Sequence, residues 1–96
     1  MSLYPQLSND ISFWLPENIG KFSSNAFYDL VRDNGGDLIE QVELIDNFIN
    51  PKTKRTSHCY RITYRSMSRT LTQKEVSDLQ KVISNKVVQE YNVKIR

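Results

Sequence analysis

His58 and Cys59 are the one imidazole and the one thiol of a 96-residue chain, and they are neighbours in it. Successive side chains on a strand point to opposite faces, so the pair makes a poor nucleophile–base dyad and a structural role is expected for both. A single cysteine excludes a disulfide within the chain, and one Cys with one His excludes the usual multi-ligand zinc sets. Glu43 and Asp46 have opposite parity on the strand they occupy, so they are not expected to work as an acid–base pair. The chain has no Walker loop, no GxGxxG and no nucleophile elbow. Gly35 and Gly36 read as a helix terminator rather than a phosphate loop. Catalysis by this chain alone is not expected, which leaves binding.

Charge points to what is bound. The net charge is only +2, but residues 1–51 carry eight acids and two basic residues, and residues 52–96 carry eleven basic residues and three acids. Residues 52–69 hold six basic residues and no acid. Such asymmetry suits an anionic partner, nucleic acid first; the alternative is a solvated face that neutralises the other half. Hydrophobic residues make up 39% of the chain, enough for one core in a single domain. No apolar run approaches the ~20 residues of a membrane helix. Met1-Ser2-Leu3 reads as an expression leader, with residues 4–96 as the domain.

The elements that must position these residues follow from periodicity. Residues 8–15 alternate, with Ile11, Phe13 and Leu15 on one face and Asp10, Ser12 and Trp14 on the other, and Pro16 stops the strand. A loop runs to about Phe22. Residues 24–34 form a helix with Ser23 or Ser24 as cap, a stripe of Phe27, Leu30 and Val31, and Phe22 placed to staple onto Phe27. Residues 37–49 form a long strand whose adjacent apolar pairs, Leu44 with Ile45 and Phe48 with Ile49, suggest a bulge. Asn50-Pro51-Lys52-Thr53 is turn chemistry and pairs this strand with residues 56–66. There Tyr60, Ile62 and Tyr64 share one face; Ser57, Cys59, Arg61, Thr63 and Arg65 share the other. Thr72-Gln73-Lys74-Glu75 is a capping box for a helix of 17–20 residues striped by Val76, Leu79, Ile83, Val87 and Tyr91. Asn92 ends it, and residues 93–96 form a last short strand.

The order βαββαβ predicts an α+β, ferredoxin-like sandwich: a four-stranded antiparallel sheet with both helices on one face. The other face, bearing Ser12, Trp14, Ser57, Arg61, Thr63 and Arg65, stays open. Open sheets with cations and an aromatic hold single-stranded RNA. Trp14 either stacks a base or packs on a neighbouring loop. Arg61 and Arg65, about 13 Å apart along the strand, either take phosphates or pair across strands with Asp10 or Asp46.

The stretches NDISFWL (9–15), FYDLVR (27–32), GGDLIE (35–40) and VELID (42–46) resemble the ferredoxin-fold anticodon-binding domain, the C-terminal module of phenylalanyl-tRNA synthetase. PKT (51–53), RTSHCYRI (55–62), YRS (64–66) and RTLT (69–72) extend the resemblance over essentially the whole chain, and the short hairpin is similar to that of the single-chain mitochondrial enzyme. The resemblance implies the same fold and a grip on the anticodon. It places anticodon contacts on Ser12, Asp46, Phe48 and Ser57. Phe48 stands where the bacterial domain has Tyr, keeping a ring that can stack without the hydroxyl. The residues themselves favour Ser12, Ser57, Arg61 and Arg65 and do not single out Asp46 or Phe48. The partners implied are a tRNA anticodon stem-loop and the catalytic domain of the parent synthetase, with no cofactor in this domain, no membrane, a monomer, and a mitochondrial location. The competing expectation is a protein-interaction domain that docks through the same open face.

Overall fold

A computed structural model describes residues 4–16 and 22–96. The expected leader at residues 1–3 and most of the expected loop, residues 17–21, lie outside the described residues. Strand β1 is Leu7–Trp14, helix α1 is Ser24–Gly35, a 3-10 turn follows at Gly36–Leu38, strand β2 is Ile39–Ile49, strand β3 is Thr56–Tyr64, helix α2 is Gln73–Tyr91, and strand β4 is Lys94–Ile95. The sheet runs β2-β3-β1-β4, each neighbouring pair antiparallel. This is the ferredoxin-like sandwich that the sequence predicts.

Local chemistry sets the element ends. Ser23 Oγ accepts the Ala26 N–H at 3.0 Å, and Thr72 Oγ1 accepts the Glu75 N–H at 3.1 Å. Both caps satisfy amides that have no partner in the first helical turn. Gly36 leaves α1 at φ 56° and donates its N–H to Arg32 O, a conformation costly to residues with a Cβ. Asn92 closes α2 in the left-handed region. In the β2–β3 turn, Asn50 Oδ1 accepts the Lys52 N–H at 2.9 Å, and Lys54 N–H donates to Asn50 O at 2.7 Å.

Helix stripes and one sheet face close the core. Phe13, Phe27, Val31, Tyr60, Ile62, Tyr64, Ile83 and Val87 are fully buried there. Each such side chain contributes about 1.5–3 kcal/mol by leaving water. Phe27 stacks on Tyr60 with ring centroids 4.2 Å apart, and Phe13 lies against both rings. Phe22 packs against the core that contains Phe27, with its ring against Phe13, His58 and Tyr91. The buried phenols are satisfied: Tyr60 Oη meets Ser24 Oγ at 3.0 Å and His58 Nδ1 at 3.1 Å, and Tyr64 donates to Gln80 Oε1.

The register of β2 corrects one expectation. Val42 faces Ile62, Glu43 faces Arg61 and Leu44 faces Tyr60, but Asp46 rather than Ile45 faces Cys59. The irregularity between Leu44 and Asp46 adds one residue, so side-chain parity inverts there. Glu43 and Asp46 therefore share the helix-free face, because their partners Arg61 and Cys59 share it. A second shift lies between Ile39 and Gln41.

Candidate nucleic-acid interface

The helix-free face is a grid of cross-strand rows. Asp46, Cys59 and Ser12 stand side by side across β2, β3 and β1, and Phe48, Ser57 and Trp14 form the next row. The four positions carried by the family resemblance thus fall in two adjacent rows at one end of the sheet. The row on the other side of Asp46 and Ser12 holds Glu43, Arg61 and Asp10. Arg65 lies four residues further along, about 26 Å from Ser57 by strand rise.

Each residue differs in what it offers. Asp46 is exposed and Ser12 half-buried, so a carboxylate and a small hydroxyl flank the half-buried Cys59. Phe48 is 41% exposed, so part of its side chain is open to solvent. Ser57 is buried, 2% exposed, beneath the row's two aromatics. Trp14 and Phe48 meet edge to face with centroids 6.1 Å apart, so Trp14 packs on Phe48 within its own sheet row. Arg96 closes this cluster. Its guanidinium carbon lies 5.2 Å from the Trp14 ring centroid and 5.6 Å from that of Phe48, and its Nη1 donates to Ser57 Oγ at 3.2 Å.

Arg61 on β3 and Arg65 just after it are both ion-paired. Arg61 Nε and Nη2 donate to the two Asp10 carboxylate oxygens at 3.0 and 3.3 Å. That bond and the charge of Asp10 hold the guanidinium above its already high range, and Glu43 adds to the effect. Arg65 Nη1 lies 3.2 Å from Glu40 Oε1. Of the two uses open to these arginines, cross-strand pairing is the one present. Arg61 takes the expected Asp10, whereas Arg65 takes Glu40, which stands at the β2 irregularity.

The lone imidazole is structural in its surroundings. His58 and Cys59 face opposite sides of β3, as their adjacency requires. His58 lies among Phe22 and Tyr60, and burial holds its imidazole below the usual 6.5. Among the described residues no three His, Cys, Asp or Glu side chains gather in a group able to hold a metal ion. What the surface can do is bind: aromatic faces for stacking, a carboxylate for base amino protons, and cations at its β4 end.

Two residues that complete this end, Lys94 and Arg96, lie outside the basic stretch 52–69 that stands out in the sequence, and a third, Arg55, lies within it. Arg96 comes beside Ser12 only through β4, where its N–H donates to Ser12 O at 2.9 Å. Arg55 Nε and Nη2 donate to Leu15 O at 3.3 and 2.9 Å, and Lys94 faces Trp14 in register. The expected final strand at residues 93–96 was the available signal, since its alternation puts Lys94 and Arg96 on one face.

The family described as ferredoxin-fold anticodon binding domain matches residues 2–96. The chain belongs to this family. As an anticodon-binding domain it is 52% identical over 99 residues to the probable mitochondrial phenylalanine–tRNA ligase of Drosophila melanogaster, covering all of this chain and 22% of that protein. It is 58% identical over 88 residues to the mitochondrial phenylalanine–tRNA ligase of Rattus norvegicus, covering 92% of this chain and 18% of that one. It is also 34% identical over 89 residues to human ferredoxin-fold anticodon-binding domain-containing protein 1, covering 92% of this chain and 14% of that protein. The domain thus spans about a fifth of the length of its ligase relatives.

Proposed function

We propose that this chain is the anticodon-gripping module of a mitochondrial phenylalanine–tRNA ligase, binding the anticodon loop on its helix-free face while a catalytic domain charges the tRNA. The carrying observation is the convergence of Asp46, Ser12, Phe48 and Trp14 in two neighbouring rows of that face. Phe48 offers a ring for stacking, worth about 1–3 kcal/mol per base. Asp46 accepts a base amino proton, as carboxylates do from exocyclic amines. Ser12 is small enough to let a base approach the backbone. Ser57 acts from below, through Arg96, and Arg61 and Arg65 contribute to the extent that a phosphate displaces their carboxylate partners. In this reading the chain works by binding alone, as one copy, with no cofactor of its own, and its partners are tRNA and the synthetase body. The mitochondrial location agrees with the names of the ligase relatives.

Titration of the chain with a phenylalanine anticodon stem-loop at several salt concentrations tests this. Affinity is expected to fall steeply with salt and to exceed that for a stem-loop of equal charge with another anticodon. Absence of binding at low salt overturns the proposal, and equal binding of both loops overturns base reading by this domain.

The ion pairing of Arg61 and Arg65 favours one competing reading, docking of a protein on the same face. Arg61→Ala combined with Arg65→Ala separates the two. Loss of RNA binding with the fold intact supports RNA; unchanged RNA binding with loss of a docked protein domain supports docking.

A further inference from the structure

The arginines on β3 and after it are matched by acids: Arg61 by Asp10, Arg65 by Glu40, Arg69 by Glu75. Arg96 is not. Among the described residues its side chain meets two aromatic rings and the Ser57 hydroxyl, all uncharged, and no carboxylate pairs with it. Arg55 likewise bonds a neutral acceptor, the Leu15 carbonyl. Lys94 stands on the same face beside Trp14. A cavity of about 220 Å³ lined by Trp14, Asn50, Thr53, Arg55 and Lys94 opens at this corner. Three cations therefore surround one aromatic site, none of them in an ion pair with a side-chain carboxylate among the described residues.

We infer that Arg96, together with Arg55 and Lys94, is the phosphate-holding corner of the open face, taking backbone phosphates of the single-stranded RNA whose bases lie along the two site rows. This rests on the RNA-binding reading above and adds the residues that anchor the strand. A guanidinium seated on two rings is already oriented, so little further ordering accompanies a phosphate contact. It has five N–H donors, of which Ser57 takes one. The rest present a planar fork suited to phosphate oxygens. An arginine held by a carboxylate must first lose that partner.

The test uses the same anticodon stem-loop, with fluorescence anisotropy across a salt series and thermal unfolding of every variant. Arg96→Gln is expected to weaken binding about five- to tenfold at low salt and to reduce the slope of log K against log salt by about 0.7, one phosphate on a single strand. Arg96→Lys keeps the slope while losing part of the affinity, because the charge stays and the planar fork is lost. Lys86→Gln removes the same charge from α2, away from the site, and leaves the slope unchanged. Lys94→Gln alters an exposed side chain and is expected to reduce the slope in the same way, which keeps the inference testable if Arg96→Gln unfolds. If the unmodified chain binds but neither variant shifts the slope, the phosphate corner is wrong and the RNA reading stands. If the unmodified chain does not bind, both fall together.

Discussion

Arg61 and Asp10 face each other across β3 and β1 and are joined by two hydrogen bonds, one to each carboxylate oxygen, at 3.0 and 3.3 Å. Both side chains are close to half exposed, 49% and 43%, so water and salt screen the pair and it contributes little to stability. Its effect is on the field. It cancels one positive charge in the middle of the surface proposed to hold RNA.

Removing the acid should therefore strengthen RNA binding rather than weaken it. Asp10→Asn keeps the shape of the side chain and releases the Arg61 charge. The expected outcome is an anticodon stem-loop affinity about two- to fivefold higher at low salt, with a steeper salt dependence. Thermal unfolding should move only slightly. Unchanged affinity in anisotropy titrations would place Arg61 outside the path of the strand.

A second prediction concerns the junction of α1 and β2. A Cβ on Gly35 would stand closer to both Cγ1 and Cδ1 of Ile39 than van der Waals contact allows. Gly35 itself has helical backbone angles, so propensity alone would make Gly35→Ala stabilising by up to about 1 kcal/mol. Overpacking opposes this by about 1–3 kcal/mol, and the net expectation is destabilisation in urea unfolding. Adding Ile39→Ala to Gly35→Ala should relieve the clash, so the two substitutions together cost less than their separate costs added. Strict additivity would show that the close approach is not the cause.

The third prediction is a pH dependence. Burial keeps His58 below its usual 6.5, so the folded chain resists a proton that the unfolded chain accepts. Where the unfolded state binds more protons, stability rises with pH. The stabilisation is therefore complete above about pH 6.5 and declines as pH falls below it toward the depressed folded value. Urea midpoints at pH 7.5, 6.5 and 5.5 should decline for the natural chain and stay flatter for His58→Gln. Glu75, held below its usual carboxylate range by Arg69, loses its contribution only at more acidic pH, near 4.5 and under. Equal slopes in the two proteins between pH 7.5 and 5.5 would remove His58 from the account.

The sequence made the local features plain because their causes are local. Ser23, Thr72 and Asn92 cap the helices where their chemistry says, and the alternation of Ile11, Phe13, Tyr60, Ile62 and Tyr64 marks the covered face. The irregularity in β2 was visible as Leu44 beside Ile45, but adjacency does not say which residue steps out of register. That choice depends on β3, and it moved Asp46 to the side of Glu43. The partners of Arg61 and Arg65 were equally hidden, since each is selected by a strand distant in sequence. Arg96 was the least legible. Its place over Trp14 and Phe48 exists only after a two-residue strand, Lys94–Ile95, adds to the edge of β1.

The irregular strand has one more consequence, for the outer rim of the sheet. β2 is an outermost strand of 11 residues, and a long straight rim of unpaired amides and carbonyls invites another chain to add on. Here the pairing of β2 shifts register at two points, and the strand carries Glu40, Glu43 and Asp46 among its apolar residues. A second copy adding at this rim would meet a mismatched hydrogen-bond ladder and like charges, which disfavours edge-to-edge pairing through β2.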